Sequence, residues 1–107
     1  MDISSVSGVS SGVKAALNGK VTADDLIARL VDHKKTLATS LRRGYLSSED
    51  VETETKAISK ILRRINRLAS LNGEAGVLTT SQHASITREL NRQETRIREM
   101  LGLGEEV

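Results

Sequence analysis

The stretch LRRGYLSSEDV, residues 41–51, contains the features that end one helix and begin another. Gly44 follows a pair of arginines, and a glycine in this position can take the left-handed conformation that closes a helix. The positive charge of the arginines also suits the negative end of a helix dipole. Only a few residues separate this end from the next helix start, so we predict that the two helices are antiparallel neighbours.

The second half of the stretch belongs to a helix-start pattern that occurs three times. Leu46 precedes the N-cap Ser47, and an acidic and an apolar residue follow at the third and fourth positions, as in a capping box with a hydrophobic staple. A similar order surrounds Thr22 and Thr79. Glycines follow each expected helix end, at Gly44, Gly73 and Gly102. We therefore predict helices at about 22–43, 48–72 and 80–101.

The composition limits the kind of core that the chain can form. The 107 residues include no Pro, Cys, Trp or Phe, and Tyr45 is the only aromatic residue. We expect one modest, aliphatic core. Because aromatic rings supply much of the buried area in small domains, a compact monomer of this composition is expected to be marginal. Association with another chain would stabilise it without a disulfide or a metal.

The N-terminal segment differs from the rest of the chain. Residues 1–20 are rich in Ser, Gly and Val, with only a weak helical spacing of apolar side chains. We predict a flexible arm over 1–20 and a single helical domain over 21–107. The segment lacks the basic and apolar regions of a Sec signal peptide. No apolar run approaches the ~20 residues of a membrane span. We predict a location in the cytoplasm, or within a phage particle or secretion-type assembly.

The predicted fold class is all-α: an antiparallel helical hairpin plus a third helix, arranged as a three-helix bundle or in a coiled-coil-like manner. The link at 73–78 is longer than the first, so the third helix can fold back or reach another chain. Its seam suggests an interface with a partner, and Gln93 would be a polar layer that sets register. The alternative is a lid over the hairpin. The seam residues are Ile86, Leu90, Gln93, Ile97 and Met100.

The first helix has a lysine within its apolar stripe. Successive 100° steps place Leu26, Ile27, Leu30, Leu37, Ala38, Leu41 and Tyr45 on one side, with Lys34 near the middle. One interpretation is that the aliphatic stem of Lys34 packs while its ammonium reaches water. The other is that Lys34 meets a carboxylate across an interface and fixes its register. We therefore include Lys34 among the candidate interface residues.

The second helix has an apolar seam and a basic stripe. The seam is centred on Ile58, Ile61, Ile65 and Leu68, at alternating heptad positions. A basic stripe can follow nucleic-acid phosphates. Acidic residues at the start of this helix and basic ones toward its end also complement the helix dipole, so the stripe can be an ordinary solvated face. The basic residues are Lys56, Lys60, Arg63, Arg64 and Arg67.

The sequence contains no recognisable catalytic or ligand-binding pattern. His33 and His83 are single histidines without a second ligand at metal-site spacing. There is no nucleophile elbow, phosphate-binding loop or dinucleotide fingerprint. We predict no catalytic residue, cofactor or metal. The predicted function is that of a non-enzymatic structural or adaptor protein, which self-associates or docks onto a larger bacterial or phage assembly. The alternative is a small basic regulator that binds nucleic acid through its second helix.

Overall fold

The structure, a computed structural model, describes residues 19–102. It is mostly helical, with three helices and one small sheet. In chain order the elements are β1 (Lys20–Thr22), α1 (Asp24–Arg42), α2 (Ser48–Leu71), β2 (Val77–Thr79) and α3 (Thr80–Met100). Each predicted helix boundary is met within two residues. The predicted N-terminal arm lies outside the described residues except for its last two, and Lys20 belongs to β1.

The starts of α2 and α3 have the predicted caps. The Ser47 hydroxyl accepts a hydrogen bond from the Asp50 amide at 3.0 Å. At α3 the box is reciprocal: the Gln82 amide donates to the Thr79 hydroxyl at 3.1 Å, and the Thr79 amide donates to the Gln82 side-chain oxygen at 2.9 Å. Both caps satisfy amides that the first helical turn leaves without an intrahelical partner.

The start of α1 differs from the prediction. Its N-cap is Ala23, which makes no side-chain cap, and Thr22 is the last residue of β1. The Ala23 amide instead donates to the Gly76 carbonyl at 2.8 Å. Thr79 is likewise the last residue of a strand and still caps its helix, so the difference is that α1 begins one residue further from its strand, with Ala23 between Thr22 and Asp24. This contact anchors the residue before the helix, and the expected Thr cap is absent.

The small sheet is the main departure from an all-α fold. Strands β1 and β2 are antiparallel, and Val21 pairs with Leu78 at the centre of the register. Leu78 is fully buried. The Asn72 side chain braces the same region, donating to the Val77 carbonyl at 3.0 Å and to the Gln82 side chain at 2.9 Å. The second link therefore folds back and joins the start of α3 to the start of α1.

The three helices share one aliphatic core. It is formed by Leu26, Leu30, Leu37, Ile58, Ile61, Ile65, Ile86, Leu90 and Ile97, with smaller or loop residues at its edges. Contacts between α2 and α3 join the end of one helix to the start of the other, so these two are antiparallel. His83 contacts Asp25 and Gln93 contacts His33, so α1 and α3 run in the same direction.

Candidate interaction surfaces and a buried polar layer

The apolar seam of α3, predicted to face a partner, lies inside the chain. Ile86, Leu90 and Gln93 have no exposed surface, and Ile97 is 4% exposed. They pack against α1 and α2 of the same chain, so in this arrangement a partner cannot contact them. The interpretation of α3 as a lid over the hairpin describes the structure better. Met100 is the exception, because it is only half-buried.

Gln93 joins side chains from all three helices in a buried polar layer. Its side-chain nitrogen donates to the Glu54 backbone carbonyl at 3.1 Å and to the Glu54 carboxylate at 3.0 Å. Its oxygen lies 2.9 Å from Nδ1 of His33. Arg96 closes the layer toward solvent, donating to the two Glu54 carboxylate oxygens at 3.1 and 3.0 Å. The polar layer is defined as His33, Glu54, Gln93 and Arg96.

The hydrogen bonds of the polar layer assign its protons. The amide nitrogen of Gln93 faces two oxygens of Glu54, which can only accept. The amide oxygen of Gln93 therefore faces His33, and Nδ1 of His33 must carry a hydrogen to donate to it. Each member thus has a partner of complementary type. Buried polar groups matched in this way avoid the free-energy cost of losing water.

The carboxylate of Glu54 is stabilised in its charged form. Burial by itself raises the pKa of Glu54, but hydrogen bonds from Arg96 and Gln93 and the nearby positive charges of Arg96 and His33 outweigh it. The result is a pKa below the ordinary glutamate value. The same contact raises the pKa of Arg96, which stays fully charged. Ionic and hydrogen-bonding contributions therefore act together to retain a buried carboxylate.

Sequence reasoning identified only part of this layer. It recognised Gln93 as a polar residue in an apolar seam, but assigned its partner to another chain. It assigned no role to Glu54, and treated His33 as a lone histidine. A carboxylate and an amide at core positions of two adjacent helices were the available indication. His33 gave none, because the first-helix stripe had been centred about one residue away.

The apolar face of α1 is divided between the core and the surface. The side chains turned inward are Leu26, Leu30, His33, Leu37 and Ser40. A second stripe, each residue one position later, is Ile27, Val31, Lys34, Ala38 and Leu41. We call these five residues the outer α1 stripe. Ile27 is half-buried, Val31 and Leu41 are 46% and 41% exposed, and Lys34 and Ala38 are exposed.

Lys34 therefore lies on the surface of α1 and outside the core. Both sequence interpretations placed it within a packed stripe, either with its stem buried or across an interface. In the structure the core stripe passes through His33, and Lys34 is exposed in the middle of the outer α1 stripe. On α2, Arg64 faces α3. Leu62 lies two positions before Arg64, roughly 200° around the helix, and this places it on the side toward α1. Leu62 is 37% exposed.

The basic stripe of α2 is exposed, but its members differ in their contacts. Arg64 is engaged with α3, donating to Glu89 at 2.7 Å and to Ser85 at 3.1 Å. Lys56 pairs with Glu52 of its own helix at 3.5 Å. Within residues 19–102, Lys60, Arg63 and Arg67 have no carboxylate within ion-pair distance, so three of the five predicted cations remain for an external partner.

A further arginine joins the basic stripe from α3. Ser85, Glu89 and Arg96 all contact α2 and are spaced by helical steps along one side of α3. Arg92 falls in the same series, three residues after Glu89, and is exposed. We define the basic face as the α2 stripe together with Arg92. This combination of two helices was not apparent from the sequence.

A groove lies where the ends of α1 and α3 approach each other. Its volume is about 570 Å³. Tyr45, Met100 and Leu101 supply apolar surface, while Lys35 and Arg43 supply positive charge. Tyr45 is 63% exposed, so the only aromatic side chain lies at the surface and contributes little to the core.

The described residues form neither a metal-binding cluster nor a membrane span. Across 19–102 there is no group of three or more His, Asp or Glu side chains arranged to hold a metal ion. None of the three described helices is both long enough and apolar enough to cross a membrane. Comparison of the chain with protein-family models, curated proteins and solved structures found no match.

Proposed function

We propose that the protein is a non-enzymatic structural or adaptor protein, a three-helix, coiled-coil-like unit that docks onto a larger assembly through its α1–α2 hairpin. The observation that carries this proposal is the outer α1 stripe. Its residues recur at alternating steps of four and three, which is the spacing of a coiled-coil seam. Two of its aliphatic side chains, Val31 and Leu41, are more than 40% exposed, although the core of this small chain is modest and is built from aliphatic residues.

The polar layer supports a structural role. Its three buried members bond to one another across three helices, and in doing so they fix the rotation of each helix about its axis. A rigid unit can present an outer surface without reorganising on binding, which lowers the entropic cost of association. The setting that we propose for this docking is a bacterial or phage assembly. Self-association through the same stripe is its other possible form.

Site-specific photo-crosslinking in the producing cells tests this proposal. A photo-reactive amino acid replaces Ala38, in the outer α1 stripe, and in a matched strain it replaces Thr95, which is exposed on α3. We expect one adduct of defined mass from position 38 that is absent from position 95. Mass spectrometry of the adduct identifies the contacted segment. No adduct from either position, or the same adducts from both, would contradict docking through the hairpin.

The basic face supports a second candidate function, binding of nucleic acid through its phosphates. The specific observation is that Arg92 of α3 lies beside the α2 stripe, so positive charge extends across two helices. Such contacts release counterions, and each makes log K fall with log salt by a slope of about 0.9 on duplex DNA. With Lys60, Arg63, Arg67 and Arg92 in contact, we expect a slope of about −3 to −4.

The matching variants separate this function from nonspecific attraction. Changing Lys60, Arg63 and Arg67 to Gln removes three phosphate contacts, and the magnitude of the salt slope is expected to fall by about 0.9 for each of them. Changing Lys34, Lys35 and Arg42 to Gln removes the same charge from α1 and serves as the control. If both triple variants lost affinity and salt dependence equally, net charge and not the basic face would determine binding. A salt-independent affinity would exclude phosphate contacts.

A further inference from the structure

The outer α1 stripe carries positive charge and no negative charge, although Asp24 is exposed on the same edge as Arg42, about one turn before Ile27. Lys34 lies within the stripe, and Lys35 and Arg42 follow its residues by one position along the next edge of α1. All three are exposed, and in the described part of the chain none has a carboxylate within ion-pair distance. Asp32 lies on the other side of α1, where it lines a cavity with Arg29 and Glu94.

We propose that the partner of the outer α1 stripe is an amphipathic helix with an apolar seam and acidic flanks. This inference rests on the proposed docking function and specifies the chemistry of its partner. The stripe spans Ile27 to Leu41, about 21 Å at 1.5 Å per residue, which is the length of two heptads. A partner helix would place apolar side chains over Val31, Ala38 and Leu41, and Leu62 of α2 would widen the contact.

Charge complementarity determines the flanks of the partner helix. Glutamates or aspartates beside its seam would pair with Lys34, Lys35 and Arg42, and each such exposed pair adds a small stabilisation. Ala38, between the cations and Leu41, leaves room for a large partner side chain. Basic flanks would bring like charges together, and such a pairing is disfavoured both in rate of encounter and in affinity.

The same charges argue against a second copy of this chain as the partner. In a parallel pair of α1 helices, Lys34 of each copy would meet Lys34 of the other. In an antiparallel pair centred on the stripe, whose middle residue is Lys34, the two Lys34 side chains would again approach each other. Like charges at facing positions of a coiled coil select against that pairing. The observed pattern therefore favours a different, acidic helix.

A synthetic peptide of three heptads tests the proposal on the full-length protein. It carries Ile and Leu in its seam and Glu at both flanking positions, and its affinity is measured by titration calorimetry. We expect binding to the unmodified protein. The triple variant Lys34→Glu, Lys35→Glu and Arg42→Glu should bind at least about tenfold more weakly, since three exposed ion pairs are reversed. A peptide with Lys flanks should prefer this variant.

Two controls make the result specific to the surface. Reversing Lys60, Arg63 and Arg67 to Glu removes the same charge from the basic face, and we expect less than about a twofold change because those residues lie away from the stripe. A scrambled peptide of the same composition has no apolar seam and is expected not to bind. We expect both variants to fold, since all the altered side chains are exposed. Circular dichroism checks this.

Several outcomes would overturn the proposal. They are absence of binding to the acidic peptide, equal binding of the scrambled peptide, and loss of binding through the basic face instead of through α1. Sedimentation provides a fourth: a mass that rises with protein concentration and returns to monomer with Val31→Glu would identify a second copy as the occupant. That result would leave docking through the hairpin intact, whereas failure of crosslinking at position 38 would remove the docking function itself.

Discussion

Gln93 is the residue at which the three helices meet. It is fully buried and uses both ends of its amide, one toward Glu54 and the other toward His33. An amide in this position constrains the orientation of the helices as well as stabilising them, because its donor and acceptor must face groups of the opposite type. A rotation of α1 or α2 by one residue would leave at least one of these buried groups without a partner.

We expect Gln93→Leu to lower the free energy of unfolding by about 1–3 kcal/mol, measured by chemical denaturation. The substitution retains the approximate volume but leaves Glu54 and His33 buried without their shared partner, which costs the desolvation of those groups. Asn91→Leu, on the exposed side of the same helix, is the control and should change stability by less than about 0.5 kcal/mol. Equal effects would show that the polar layer has no special role.

The lowered pKa of Glu54 predicts a dependence of stability on pH. A carboxyl group whose pKa is lower in the folded chain stabilises the fold above its unfolded pKa, and this contribution is lost as pH falls through the folded value. The unfolded value is about 4.3. Below it, the free energy of unfolding should fall more steeply for the unmodified protein than for Glu54→Gln. Glu52→Gln, at an exposed position, should follow the unmodified protein.

At the scale of elements, the helix starts differ in what holds them. The capping box of α3 is complete, with both reciprocal hydrogen bonds between Thr79 and Gln82. The α1 start has no side-chain cap and depends on the Gly76 carbonyl, which the second link brings close. The two Thr residues look equivalent in the sequence, because each directly follows an apolar residue and stands at the start of a predicted helix.

We expect Thr79→Ala to reduce the free energy of unfolding by about 1 kcal/mol, the usual cost of losing an N-cap. Thr22→Ala should cost only a few tenths of that, since Thr22 contributes strand propensity and no cap. Thermal and urea denaturation of the two variants provide the comparison. If Thr22→Ala were the more damaging change, the assignment of Thr22 to β1 would be wrong.

At the scale of the whole molecule, the packing of α3 decides how the chain is stabilised. The sequence left open whether this helix folds back or joins another chain. In the structure its seam fills the space between α1 and α2, and the small sheet ties its start to the start of α1. The aliphatic core is therefore completed without a second chain, although composition suggested that association would be needed.

We expect Leu90→Ala to lower the free energy of unfolding by about 2–5 kcal/mol, because it opens a cavity at a fully buried position. The unfolding midpoints of this variant and of the unmodified protein should each be the same at two protein concentrations tenfold apart. A midpoint that rises with concentration would indicate that folding is linked to association. In that case the seam of α3 would be completed by another chain.

The helices themselves were predictable because their signals are local. Caps, staples and left-handed glycines act within one turn, so the limits of α2 and α3 follow from residues a few positions apart. Gly44 and Gly73 adopt the expected positive φ angles, 77° and 84°. The aliphatic character of the core and the apolar seam of α2 were equally evident, since heptad spacing requires no knowledge of the partner.

Tertiary structure decided what local signals leave open. On α1, apolar stripes one residue apart both suit a helix, and only the position of α3 determines that Leu30 and Leu37 are covered while Val31 and Leu41 remain outside. The three-residue strands are too short to be recognised without their pairing. His33 and Glu54 lie 60 and 39 residues from Gln93, so the polar layer exists only once the helices have packed. The sequence alone determined where the helices are, and long-range packing determined which of their faces remain for a partner.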